Sequence, residues 1–166
     1  MRLFNPSRLS LARRRRGFSK TVLAERTGLT LRSISAFEGG ELPPSEETLT
    51  SIARVLKFPV GFFYGDTIDE APVEGVSFRS LKRMSSAQRD AALGAGALAF
   101  LLNDWVERRF HMPRTDLLDL RGEDPEVAAE ILRHHWGLGD LSIRNMVHLL
   151  EAKGVKVFSL AENAEE

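Results

Sequence analysis

The stretch SKTVLAERTGLTLRSISAFE, Ser19 to Glu38, decides the fold of the first third of this chain. It holds two short amphipathic segments joined through Gly28, with Ala24 four residues before that glycine and Ile34 six residues after it. A small residue at Ala24 lets two helices cross closely. Glycine at 28 takes a backbone shape closed to most other residues. Ile34 is placed to pin the second segment to the first. This is the grammar of a helix-turn-helix, a unit whose second helix usually lies in the DNA major groove.

The flanking residues extend the unit to five short helices over about residues 6–65. The first runs from about Pro6 to Arg16, with Leu9 and Ala12 inward and Gly17 ending it. Ser19 and Thr30 stand at N-cap positions, before helices whose apolar sides are Val22, Leu23 and Ala24, then Ile34 and Phe37. Gly39-Gly40-Glu41-Leu42-Pro43-Pro44 cannot be helical. Ser45 opens a fourth helix, along which Leu49, Ile52, Ala53, Val55 and Leu56 recur at helical spacing. Pro59 starts a last short turn, with Val60, Phe62 and Phe63 as core candidates.

Charge and motif coincide. The 166 residues carry 23 Lys/Arg and 23 Asp/Glu, so the net charge is zero. Residues 1–40 nevertheless hold nine Lys/Arg against two acids, Glu25 and Glu38, a local charge of +7. Residues 41–166 hold fourteen against twenty-one, −7. Such a split points to a nucleic-acid contact surface at the basic end. An apolar content of 43% is that of a folded protein. The absence of cysteine excludes disulfides and any cysteine-based metal site or nucleophile. The longest small-and-apolar run, Ala91 to Leu102, is too short to span a bilayer. Arg13 to Arg16 is followed by polar sequence rather than the apolar core of a secretory signal. A cytoplasmic, nucleoid-associated protein is expected.

Arg13, Gly17-Phe18-Ser19, Leu23-Ala24, Gly28-Leu29-Thr30, Ser33-Ile34, Phe37-Glu38, Gly40, Pro44-Ser45, Leu49, Ala53 and Phe62-Phe63-Tyr64-Gly65 together resemble the XRE, or lambda-repressor-like, class of helix-turn-helix regulators. The resemblance covers about a third of the chain and implies a five-helix DNA-binding domain. It implies that Lys20 meets phosphate at the edge of the groove. It places Thr30, Leu31, Arg32, Ser33, Ser35 and Ala36 on the recognition helix, with Leu31 to Ser33, Ser35 and Ala36 outward. Arg32 is the residue expected to read a base, since a guanidinium bridges guanine O6 and N7. Leu31 and Ala36 replace polar residues common in the family and suit a thymine methyl. Backbone N–H groups around Gly39 and Gly40 are expected at a phosphate. The resemblance makes Arg13 and Glu38 a structural ion pair, which leaves Arg14, Arg15 and Arg16 as the cations to meet phosphate.

Beyond residue 65 the pattern changes. GDTIDEAPVEG, Gly65 to Gly75, is acidic and turn-rich and reads as a linker, giving domains at 1–65 and 76–166 with 66–75 between them. Val76 to Arg79 reads as a short extended element. Ser85 opens a long helix to about His111, interrupted by Gly94 and Gly96, each costing about 1 kcal/mol relative to Ala. Close packing against another helix, within the chain or across a dimer, would justify them. Asp124-Pro125-Glu126 starts a helix that ends near Trp136-Gly137, and Ile143 to Lys153 forms another. Val155 to Leu160 alternates like a strand. The fold class is thus mainly α, with a short terminal β-strand.

Phe78-Arg79-Ser80-Leu81, Trp136-Gly137-Leu138-Gly139, Ile143 and Leu149 to Phe158 resemble the amino-terminal part of the ImmA/IrrE-type metallopeptidase domain. That domain's zinc site sits on an H-E-x-x-H helix. His111, His134, His135 and His148 make no such motif, so no catalytic residue, metal or cofactor is assigned and no enzymatic activity is expected of this chain. The expected function is a sequence-specific DNA-binding regulator, a repressor of phage or mobile-element type, acting on a double-stranded operator as a homodimer. Two alternatives remain open. One is a truncated or split regulator-peptidase, which a downstream H-E-x-x-H would reveal. The other is an antitoxin-like module that binds a toxin or repressor partner and represses its own operon, which co-purification would reveal.

Overall fold

A computed structural model describes residues 3–69 and 85–159. It resolves into two units, Met1–Leu102 and Asn103–Glu166. The first opens with α1 (Pro6–Arg15), α2 (Lys20–Thr27), α3 (Leu31–Gly39) and α4 (Glu46–Leu56), followed by a 3-10 turn, Val60–Tyr64. The five expected helices are therefore four α-helices and one 3-10 turn.

Local chemistry sets each boundary. Proline at the first position of α1 follows Asn5, whose side chain accepts from the Ser7 amide. Ser19, Thr30 and Ser45 cap α2, α3 and α4, each accepting from the amide three residues on. Gly28 ends α2 in the left-handed region at φ 70°, so the chain can turn at once into α3. Two acids, Glu46 and Glu47, occupy the first turn of α4, where the helix dipole favours them.

Leu9, Leu23, Ala24, Ile34, Phe37, Leu49, Ile52, Leu56 and Phe63 converge in one core, with Phe4, Phe18, Leu29, Phe58 and Phe62 around it. Two arginines of α1, and Arg16 at its C-cap, tie this core's edges. Arg8 donates from Nε to the Asp66 carbonyl at 2.6 Å and from Nη1 to the Phe62 carbonyl at 3.1 Å. Its guanidinium occupies the space a side chain at Gly65 would need. Arg13 forms a two-pronged pair with Glu38, at 2.6 and 2.9 Å. Arg16 donates from Nε to the Leu56 carbonyl at 2.6 Å and from Nη2 to the Lys57 carbonyl at 3.0 Å. That places a cation on the negative end of α4.

The long helix α5 (Ser86–Glu107) is shorter at its end than the expected Ser85–His111. Its Gly94 meets α1: a Cβ built there would lie 3.4 Å from Cα of Arg15. Leu11, one turn before Arg15 on α1, is buried, as are Ala95 and Ala97. The close approach expected of the two glycines is therefore met at Gly94 and comes from within the chain. Gly96 has nothing within 4 Å of where a Cβ would stand. The Ser86–Leu102 part of α5 belongs to the first unit, whereas the composition-based partition grouped it with the second region. The linker residues 70–75 and the extended element Val76 to Arg79 lie outside the described residues.

In the second unit, α6 (Pro125–His135) begins as expected, capped by Asp124. The next helix, α7 (Met146–Ala152), starts three residues after the expected Ile143, because the Asn145 side chain accepts from the His148 amide and caps it there. Residues 155–159 form no strand, and Leu160 lies outside the described residues. Alternation alone does not make a strand. A ladder needs a partner with matching donors and acceptors, and no strand is present among the described residues. Instead the amide of Val155 turns back to the Leu150 carbonyl at 2.9 Å.

Polar ties at Asp116 hold this unit together. Its carboxylate accepts from Lys153 Nζ at 3.1 Å and contacts His135 Nε2 at 2.6 Å. Its amide donates to the Lys153 carbonyl, and its own carbonyl accepts from the Trp136 indole, both at 2.9 Å. The hydrogen bond to His135, then that to Lys153, hold the Asp116 carboxyl below its ordinary range.

Candidate nucleic-acid interface

The recognition face is built on α3, whose inward residues Ile34 and Phe37 are buried in the core. That anchoring leaves Leu31 and Arg32 exposed at the helix start and Gly39 and Gly40 exposed at its end. Leu31, a large apolar side chain, is 49% exposed. Arg32 makes no ion pair among the described residues. Ser33 and Ser35 are half-buried. The hydroxyls of Thr30 and Ser33 stand 2.8 Å apart, and Thr30 Oγ1 also accepts from the Ser33 amide at 3.0 Å. Both side chains are thus engaged in the cap.

Ala36 is not on the outward surface. It is only 6% exposed, against the expectation that it faces outward. A methyl group does not reach past its neighbours, and the chain folds back at this end of α3, with the Glu41 amide bonded to the Ala36 carbonyl at 3.0 Å.

Around Glu38 the structure brings together three helix ends. Arg13 comes from α1, Lys20 from the start of α2, and Glu38 and Gly39 from the end of α3. The Glu38 carboxylate is nearly sealed, with its side chain 4% exposed. Arg13 also donates from Nη1 to the Phe18 carbonyl at 2.8 Å. The Arg13–Glu38 pair therefore fixes the α1–α2 corner to α3. Lys20 lies 3.8 Å from Glu38, a long contact, and keeps 41% of its side chain exposed.

The arginine run does not act as one patch. Arg16, expected at phosphate, is exposed, and its guanidinium also donates to the α4 carbonyls and lies 5.2 Å over the Phe58 ring. Burial, then the neighbouring Arg15 charge, lower its affinity for its proton. Arg15 lies against Gly94 of α5 through its backbone and Cβ. Arg14 is half-buried. Sequence reasoning also missed Arg8, where burial lowers the guanidinium's proton affinity and the Asp66 charge partly restores it. The signal available for it was an arginine directly before Leu9 and one helical turn before Ala12, beside an apolar stripe.

Among the described residues no group of three or more His, Asp or Glu side chains could hold a metal ion. No helix among them is long and apolar enough to cross a membrane. No curated protein and no solved structure matches the chain. The match that exists stops short of the region whose sequence resembles the peptidase domain. A family model described as a helix-turn-helix domain matches residues 7–61, so with the geometry of α2, Gly28 and α3 those residues form a helix-turn-helix domain.

Proposed function

We propose that this protein is a DNA-binding transcriptional regulator of the XRE, lambda-repressor-like type, acting as a repressor. The observation that carries the reading is the exposed start of α3: Leu31 and Arg32 project from a helix whose opposite side is locked into the core by Ile34 and Phe37. A rigid helix with one unpartnered guanidinium at its leading end suits a base edge in the major groove. Lys20 and the amides at Gly39 and Gly40 suit the flanking phosphates. Binding as a homodimer would place two such helices on half-sites about 34–36 Å apart.

Selection of bound duplexes from a random pool, followed by titration of the selected site, tests the reading. Recovery of no enriched sequence overturns it. With a site in hand, Arg32→Ala weakens specific binding by about 1–3 kcal/mol and relaxes one base position. Lys20→Ala lowers affinity across all sequences and reduces the salt slope by about 1.

A further inference from the structure

We propose that the second unit carries a binding site for a small organic monoanion with a flat apolar body, such as an aromatic carboxylate. Where α5 ends, the chain folds around a cleft of about 390 Å³ whose walls include Glu107, Phe110, Met112, Pro113, Arg114 and Lys156. This lies toward the lower end of the range for small-molecule sites, roughly 300–1,000 Å³. A site of that size accepts one ring and one charged group.

Its chemistry is divided in the way such a ligand needs. Phe110, Met112 and Pro113 supply an apolar wall. Arg114 supplies a planar fork of donors and has no hydrogen-bond or ion-pair partner among the described residues. Lys156 is already engaged, 3.4 Å from the Glu107 carboxylate and donating to the Gly154 carbonyl at 3.3 Å. Glu107 and Lys156 therefore cancel, and Arg114 remains as one uncompensated positive charge. His111 also lines the cleft and adds an imidazole donor beside this charge, so the wall favours an anion and disfavours a cation, and the single unpaired guanidinium suits one carboxylate. Arg114 is held in place without using its side chain: its backbone packs on Gly154, which has no room for a Cβ there. The guanidinium is thus presented on a fixed backbone, which reduces the ordering needed on binding.

The site stands independently of any DNA contact, so the test uses the ligand alone. The full chain with ¹³C-labelled methionine methyls is titrated with benzoate, with Met112 as reporter and Met146 as control. The expected result is saturable movement of the Met112 methyl with a Kd of about 1 mM, the affinity open to a ligand of this size. Arg114→Ala weakens it about tenfold or more, Arg114→Lys by less, and benzylammonium does not saturate. Phenyl phosphate binds no tighter than benzoate. An unchanged amide spectrum in the Arg114 variants shows that they fold. Absence of saturation by roughly 20 mM benzoate, equal binding of benzylammonium, or an Arg114→Ala variant that binds as well as the parent overturns the proposal. A tighter complex with phenyl phosphate overturns its monoanion part.

Discussion

In the first unit Phe63, Leu9, Leu23, Ile34, Leu49, Ile52 and Leu56 are fully buried, whereas α6 and α7 bury none of their residues. Both regions carry amphipathic helices. In the first, four helices and a 3-10 turn bring their apolar sides to a single cluster. In the second, Val127 and Ile131 of α6, Met146 and Val147 of α7, and Leu117, Leu118 and Leu141 in the loops all remain exposed. There the elements are joined through Asp116, His135, Trp136 and Lys153. An apolar stripe is a requirement for a core, but closing one takes several elements that meet at the same place. A polar knot can order loops without sealing a core.

The sharpest way to break this comparison is to truncate one side chain in each unit. Phe63→Ala should destabilise the first unit by about 3–5 kcal/mol, through lost burial and the cavity left behind. Ile131→Ala, at a partly exposed position, should cost under about 1 kcal/mol. Chemical denaturation followed separately for each unit checks both, and equal effects would erase the distinction. Next comes the sealed ion pair. Glu38→Ala should cost about 3–5 kcal/mol, because it leaves the Arg13 guanidinium buried without its counter-charge. Replacing both residues by apolar ones of similar volume should cost clearly less, and a thermal denaturation series shows whether it does.

Smaller effects sharpen the role of α5. Gly94→Leu should cost about 1–3 kcal/mol by forcing atoms against the Arg15 backbone. Gly96→Ala should stabilise by up to about 1 kcal/mol, since the added methyl meets open space and improves helix propensity. If both glycines respond alike, α5 does not cross α1 at Gly94. The smallest effect belongs to Asp116. Its folded-state pKa is depressed, so its contribution is fully present above the ordinary carboxylate pKa and is lost as pH falls through the lower folded value. The Asp116 carboxyl resonance should therefore change only below the ordinary carboxylate range, and a midpoint at the ordinary value would show that its bonds to His135 and Lys153 do not hold it.

Local patterning explains what was legible and what was not. The helix-turn-helix could be read from Ser19 to Glu38 because its caps, its turn glycine and its inward residues are all neighbours in sequence, and backbone geometry ties each to a position. The same holds for the Asp124-Pro125 start of α6. The Arg13–Glu38 pair was legible only through family resemblance, as it joins residues from different helices. A charge run, by contrast, carries no label for its partners. Arg13 to Arg16 look alike in sequence, yet Arg13 meets Glu38, Arg15 lies under α5 and Arg16 binds the end of α4. The alternation expected to form a strand over Val155 to Leu160 yields none over the described residues 155–159, because pairing requires a second chain segment that the pattern cannot specify. Sequence alone determined where the helices of the first unit begin and turn, since those signals act over three or four residues. Tertiary structure alone decided which cations stay available to a ligand and that Ala36 is covered, since burial and charge pairing depend on residues distant along the chain.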